Sequence, residues 1–188
     1  MIVIKRIGAV LIGLFLISLS LSAQDYKHEV AVSYGAYSSS IIYHVFVHEK
    51  FNDSDPLRDA RNDWALGPVS IEYYRRVSPL WSFGEIGVNS DLFYDVYYNG
   101  EKRQDVRVYN FTAMAAAKLH WLNGQHFNMY SKAALGVLLK NAGPSNVLPN
   151  FQISLLGMEV RFTRQFGIFA EAGIGEQGIV HGGMCFKM

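Results

Sequence analysis

The sequence predicts an all-β protein, an eight-stranded antiparallel up-and-down transmembrane β-barrel. Three observations lead to this prediction: an apolar leader at the start of the chain, eight alternating segments, and a C-terminal strand whose two faces differ in polarity. Membrane-crossing strands are tilted and need about 9 to 11 residues each. All eight segments are long enough to cross a bilayer in this way.

The leader has the pattern of a secretory signal peptide. Lys5 and Arg6 precede an apolar run over residues 7–17, and small residues follow at Ser22 and Ala23. The run is shorter than the roughly 20 apolar residues of a spanning helix. We therefore expect a signal peptide over residues 1–24 and an outer-membrane barrel domain over residues 25–188.

Composition excludes some classes of partner and of cross-link. Residues 25–188 hold 15 Lys and Arg against 16 Asp and Glu, so no basic excess attracts nucleic acid. Cys185 is the sole cysteine, which rules out an intramolecular disulfide and favours a packing role. Aromatic residues make up 14% of the chain, which suits a sheet with aromatic girdles.

The predicted strands are separated by connections of alternating length. They cover residues 27–37, 67–77, 81–93, 106–121, 127–138, 151–162, 166–176 and 178–188. The short connections are Val77 to Leu80, Leu122 to His126 and Thr163 to Gln165; the first includes Pro79 and the second the hairpin pair Asn123-Gly124. Residues 38–66, 94–105 and 139–150 form longer polar loops. Short turns at one end and long loops at the other are the barrel convention.

Aromatic residues gather at both ends of the strands. One group flanks the short turns: Trp81, Trp121, Phe127, Phe162, Phe166 and Phe186. The other lies where strands meet the long loops: Tyr34, Tyr37, Trp64, Phe93, Tyr94, Tyr109, Phe111 and Phe151. Two such rings are expected at the two interfaces of a membrane. The alternative is a soluble sandwich or lipocalin-like barrel, in which aromatic side chains turn inward.

The last two strands and the fourth show which faces should meet lipid. In residues 166–176, Ile168, Ala170, Ala172 and Ile174 share one face, opposite Phe169, Glu171, Gly173 and Gly175. In the final strand Val180, Gly182, Met184, Phe186 and Met188 oppose a small-or-charged face that carries His181, Cys185 and Lys187. In the fourth, Ala113, Ala115 and Ala117 share a face with Phe111 and Leu119, opposite Thr112, Ala116 and Lys118. We expect the first set to face lipid in each case.

The segment NFQISLLGMEVRFTRQFGIFAEAGIGEQGIVHGGMCFKM, residues 150–188, resembles the C-terminal half of small outer-membrane β-barrel proteins common in Bacteroidetes, which have an OmpA/OmpX-like eight-stranded barrel domain. YRRVSPLWSFGEIGV, residues 74–88, is similar to their second and third strands. The final residue is Met188, where these proteins usually have Phe. The resemblance implies an outer-membrane location and contact with membrane lipid and lipopolysaccharide. It also implies recognition by the barrel-assembly machinery through Gly183, Phe186 and Met188.

The inward positions are predicted to carry charges of both signs: Glu29, Glu72, Glu85, Glu159, Glu171, Arg76, Lys118, Lys132 and Arg161. Glycines on the same face are expected to make room for them: Gly35, Gly87, Gly136, Gly173 and Gly175. Eight strands leave an interior that side chains can fill, so these charges should pair and plug the lumen. The alternative is a gated path for ions or small solutes.

No residue pattern predicts a catalytic, cofactor or metal site. His44 and His48 lie four residues apart but lack a third ligand nearby. Ser90-Asp91, with a distant histidine, has the inventory of a lipid-modifying barrel enzyme without its sequence context. Residues 53–63, DSDPLRDARND, are expected to form a solvated loop. The sequence therefore favours a non-enzymatic envelope-structural or surface-contact role through the loops, with an unidentified extracellular ligand; a narrow channel and a lipid-modifying enzyme remain alternatives.

Overall fold

Eight antiparallel strands close into a barrel in which each strand pairs with its neighbours in sequence and β8 pairs with β1. The computed structural model describes residues 26–39, 42, 58–98, 101–140 and 147–188. The strands are β1 (His28–Ala36), β2 (Arg58–Arg76), β3 (Trp81–Tyr98), β4 (Glu101–Asn123), β5 (Phe127–Lys140), β6 (Val147–Arg161), β7 (Phe166–Gly175) and β8 (Val180–Lys187). The predicted all-β fold, an eight-stranded antiparallel up-and-down barrel, is confirmed. The expected signal peptide lies outside the described residues.

The connections define two ends of the barrel. One end, called the turn end here, carries the short connections 77–80, 124–126 and 162–165. The other, the loop end, carries the connections after β1, β3, β5 and β7. No helix among the described residues has the length and apolar character needed to cross a membrane.

Strands β2, β3 and β4 extend further toward the loop end than the sequence predicted. Residues 94–105 are not a long loop, because β3 and β4 stay paired as far as Tyr98 and Glu101. Residues 58–63 are not a loop either, because β2 begins at Arg58, which pairs with Tyr98. The segment from Phe93 to Tyr98 is rich in aromatic and β-branched residues, and their preference for strands prevails over the charged residues between them.

Apart from irregularities such as the register shift near Leu155, side chains alternate between a buried inner face and an exposed outer face. In β4, Thr112, Ala116 and Lys118 are buried inside while Phe111 and Ala115 are exposed outside, as predicted. The same holds for the two faces of β7 and β8. The outer face carries large exposed apolar side chains on every strand, including Leu135 at 73% and Met184 at 67% exposure.

Aromatic side chains form a ring on the outer face at each end. Trp81, Trp121, Phe127, Phe162 and Phe166 are exposed at the turn end; Tyr34, Tyr37, Tyr109, Phe111 and Phe151 are exposed at the loop end. Along β4, Phe111 and Trp121 are ten residues apart. At roughly 3.4 Å per residue and a tilt of about 40°, the two rings are about 26 Å apart along the barrel axis.

Candidate functional site

The interior of the barrel is the part of this molecule where polar chemistry concentrates. Eight buried charged residues there take part in ion pairs, four carboxylates and four cations: Glu29, Glu72, Glu159 and Glu171 with Lys118, Lys132, Lys187 and Arg161. Glu176 is buried there as well, in the turn between β7 and β8. An isolated buried charge is costly, so such a set is tolerable only when its members pair. They do so in two clusters stacked along the barrel axis.

The turn-end cluster is an ion-pair chain that crosses the lumen. Lys118 Nζ lies 2.7 Å from Glu29 Oε1, and Lys187 Nζ lies 3.4 Å from Glu29 Oε2. Lys187 Nζ also lies 2.5 Å from Glu159 Oε1, which is 3.2 Å from Arg161 Nε. Each carboxylate therefore contacts two cations, and the chain links strands β1, β4, β6 and β8.

The central cluster lies deeper toward the loop end and is built around one ammonium group. Its members are Glu72, Tyr74, Tyr130, Lys132, Glu171 and His181. Lys132 Nζ lies 2.7 Å from Glu171 Oε2 and 3.1 Å from Glu72 Oε2. Tyr74 donates a hydrogen bond to Glu72 and Tyr130 one to Glu171, each 2.8 Å long. Both carboxylates are therefore held by a cation and by a hydroxyl.

The two tyrosine rings join the clusters. Lys118 Nζ lies 4.0 Å from the centre of the Tyr74 ring and 4.5 Å from that of Tyr130, close enough for cation–π attraction. A β-carbon added to Gly84 would meet Tyr74 at 2.7 Å, and one added to Gly157 would meet Tyr130 at 2.3 Å. These glycines are the cross-strand partners of the two tyrosines, so the rings fit inside because their partners have no side chain.

Three side chains of the central cluster are of metal-ligand type. Glu72, Glu171 and His181 place one ligand atom each within 4.8 Å of one another, the one such group among the described residues. Lys132 Nζ contacts both carboxylates and lies 3.4 Å from His181 Nε2. The lysine ammonium thus takes the position where a metal ion would bind, and the group works as an ion-pair network in its present form.

Between the central cluster and the loop end, neutral side chains line the lumen, both polar ones and buried apolar ones such as Val88, Leu92 and Leu138. This part, called the upper compartment here, is lined by Ser70, Ser90, Asn110, Thr112, Asn150, Gln152 and Ser154. The turn Glu176–Gln177–Gly178 between β7 and β8 is itself buried inside it. The predicted break in the loop convention at this turn therefore has a structural cause, since the turn points into the barrel.

Seven of the nine charged residues predicted to face inward are buried in the lumen, and Arg76 lies half-buried at its turn end. The prediction for Glu85 is wrong: this residue is exposed on the outer face, where its cross-strand partners are Tyr73 and Ala115. Gly87 faces outward with it. The cause is register, because Ser82 pairs with the inward Lys118, and cross-strand partners share a face.

The Ser90-Asp91 pair does not form a catalytic arrangement. Ser90 faces the lumen and donates a 2.8 Å hydrogen bond to Glu176, whereas Asp91 lies on the outer face. There its carboxylate bonds Arg107 at 2.7 Å, and this hydrogen bond raises the pKa of the guanidinium. Neighbouring residues of a strand point to opposite faces, so the two cannot act together. His44 and His48 lie outside the described residues.

The structure contains a buried serine–histidine pair that the sequence reasoning missed. Ser82 Oγ and His120 Nε2 are 3.0 Å apart at the turn end, and both residues are buried. Within the described part of the chain His120 Nδ1 has no hydrogen-bond partner, so no described acid orients the ring as a catalytic triad requires. Cys185 is buried on the inner face of β8, as a packing residue would be.

Comparisons with protein-family models, curated proteins and solved structures find no match to this chain.

Proposed function

We propose that this chain is an integral outer-membrane β-barrel, similar to the small Bacteroidetes barrels, with a non-enzymatic structural or surface-contact role. One observation supports this most: among the described residues, the barrel buries two clusters of paired charges inside and exposes most of its large apolar side chains outside. A water-soluble barrel of this size would place them the other way round.

The apolar outer face has the height that a bilayer demands. The aromatic rings lie about 26 Å apart, and the apolar band of outer-membrane barrels is about 25 Å tall. The residues between them, such as Val32, Ile71, Leu135, Ile153 and Met184, are all exposed. In water such a continuous patch would drive aggregation, whereas in lipid it is the required surface.

A lumen filled by paired side chains favours a function at the outer surface of the barrel. In the described part of the chain the lumen charges of the two clusters are paired, and the turn after β7 covers the central cluster. The described strands β2, β3 and β4 continue beyond the loop-end ring. From Phe93 to Tyr98 this extension adds five residues, or about 17 Å of strand. We propose that this extension and the loops around it contact lipopolysaccharide and external partners, and that the C-terminal strand is recognised by the assembly machinery.

The experiment that tests location combines electrophoretic migration with epitope access. An epitope inserted between Asn99 and Gly100, in the chain between β3 and β4, should bind antibody on intact cells. The matched control carries the same epitope at Gly124, in a turn-end connection, and should bind only after the outer membrane is permeabilised. Unboiled protein should also migrate faster than boiled protein. Identical migration together with recovery in the soluble periplasm would contradict the proposal.

The narrow-channel alternative has a test of its own. The closed lumen predicts negligible steady conductance of the unmodified protein in planar bilayers. Glu159→Ala combined with Glu171→Ala leaves Lys187, Arg161 and Lys132 with fewer partners, so this variant should conduct. Stable single-channel steps from the unmodified protein would favour the channel instead.

A further inference from the structure

The turn between β7 and β8 lies inside the barrel, and the Glu176 carboxylate and the Gln177 amide nitrogen bond side chains of the lumen. Glu176 Oε2 accepts hydrogen bonds of 3.0 Å from Ser39 and from Asn150, and Glu176 Oε1 accepts one of 2.8 Å from Ser90. These three donors come from beyond β1, from β6 and from β3. The carboxylate is therefore held from several sides of the upper compartment.

Gln177 reaches deeper than Glu176 and touches the central cluster. Its Nε2 donates to Glu72 Oε1 at 2.7 Å and to Ser70 Oγ at 2.9 Å, while its backbone N–H donates to Gln152 at 2.9 Å. The side chain thus spans the upper compartment and ends on a carboxylate that Lys132 also holds. The turn and the central cluster form two successive barriers along the lumen.

Glycines on both sides of this turn have backbone conformations that other residues rarely adopt. Gly175 has φ +142° and Gly178 has φ +102°. Gly35 on β1 lets the turn backbone approach closely, because a β-carbon at this position would clash with the Gln177 carbonyl oxygen. The inward position thus depends on three glycines, two of which flank the Glu176–Gln177 pair as hinges.

We infer that the Glu176–Gln177–Gly178 turn is a hinged plug that closes the upper compartment by polar contacts, and that its outward swing exposes the compartment while the central cluster stays shut. All its anchors are hydrogen bonds that water can replace, and no large apolar side chain of the turn is buried with them. The turn touches the central cluster only through Gln177 and Glu72, whereas the ion pairs of Lys132 with Glu72 and Glu171 join other strands and remain when Gln177 withdraws. This inference requires only the closed barrel and not its location in a membrane.

The test measures cysteine labelling in the full chain folded in detergent micelles. Ser154→Cys in a Cys185→Ala background reports the upper compartment, since Ser154 is buried there and forms no bond with the turn. In a second protein, which keeps Ser154, the native Cys185 reports the lumen on the turn-end side of the central cluster. A small charged thiol reagent should label Cys at 154 slowly but completely, and should leave Cys185 unlabelled over the same period.

Removing the side-chain hydrogen bonds of Glu176 and Gln177 should accelerate labelling at position 154 but not at Cys185. Glu176→Ala with Gln177→Ala should raise the labelling rate at 154 at least tenfold without exposing Cys185. Ile179→Ala is the matched control, because Ile179 adjoins the turn but is exposed on the outside. The inference is overturned if position 154 is never labelled in the unmodified turn, if the double variant changes its rate less than twofold, or if both reporters accelerate equally. A double variant that fails to give heat-modifiable migration would also overturn it, by showing that the turn is a folding element and not a movable plug.

Discussion

Replacing Lys132 by methionine is the most direct test of the packed lumen. The side chain is fully buried, and its ammonium lies 2.7 Å from Glu171 and 3.1 Å from Glu72. Lys132→Met keeps most of the volume but leaves two carboxylates close together without their cation. Removing one partner of a buried pair costs about 3 to 5 kcal/mol, so we expect a loss of that size in the free energy of unfolding.

The control is Lys140→Met on the same strand, because Lys140 lies half-exposed at the loop end. Exposed ion pairs contribute about 0 to 1 kcal/mol, so this variant should lose no more than that. Urea unfolding of the full chain in micelles, followed by tryptophan fluorescence, gives both numbers. Adding Glu171→Gln to Lys132→Met should recover part of the loss, since one uncompensated charge is then removed.

The result that would refute this reasoning is a loss below about 1 kcal/mol for Lys132→Met, equal to that of the control. Such a value would mean that water solvates the carboxylates once the ammonium is gone. The lumen would then be a hydrated space and not a packed network, and the narrow-channel alternative would gain support.

Five other variants test the faces and the clusters. Ala115→Arg, on the face of β4 that the proposed membrane location turns to lipid, should destabilise the barrel in vesicles by about 2 to 4 kcal/mol, whereas Ala116→Arg should prevent folding by crowding the lumen; tolerance of the first change would contradict the assigned faces. Glu85→Leu should raise the free energy of unfolding in vesicles by about 1 to 2 kcal/mol, because it removes a carboxylate from the outward face. An unchanged value would indicate that water solvates this carboxylate. Phe186→Asp should leave periplasmic, protease-sensitive protein in cell fractionation, and equal assembly of this variant and the unmodified chain would count against C-terminal recognition. Lys132→Ala vacates the ammonium position among three ligand-type side chains, so Zn²⁺ should raise its unfolding midpoint but not that of the unmodified protein.

Several features of the fold follow from local sequence alone. Strand number, the short turns and the faces of β4, β7 and β8 were predicted correctly, because period-two alternation and turn residues such as Asn123-Gly124 act within a few positions of the chain. Most inward charges were also identified, since apolar residues alternate with them so clearly.

Tertiary pairing decided the rest. In β3 the alternation SFGEIGVNS has two faces of mixed character, and only the pairing of Ser82 with Lys118 turns Glu85 outward. The extension of β3 and β4 to Tyr98 and Glu101 likewise depends on each strand having a partner.

The lumen was the least predictable part, because its contacts join residues that are far apart in the chain. Lys132 meets Glu72 across 60 positions, and Gln177 meets the same residue across 105. The sequence by itself determined that charges of both signs would lie inside a closed eight-stranded barrel. Only the closure of that barrel decided which charges pair and that the last turn folds inward, because both depend on bringing non-neighbouring strands across a narrow lumen.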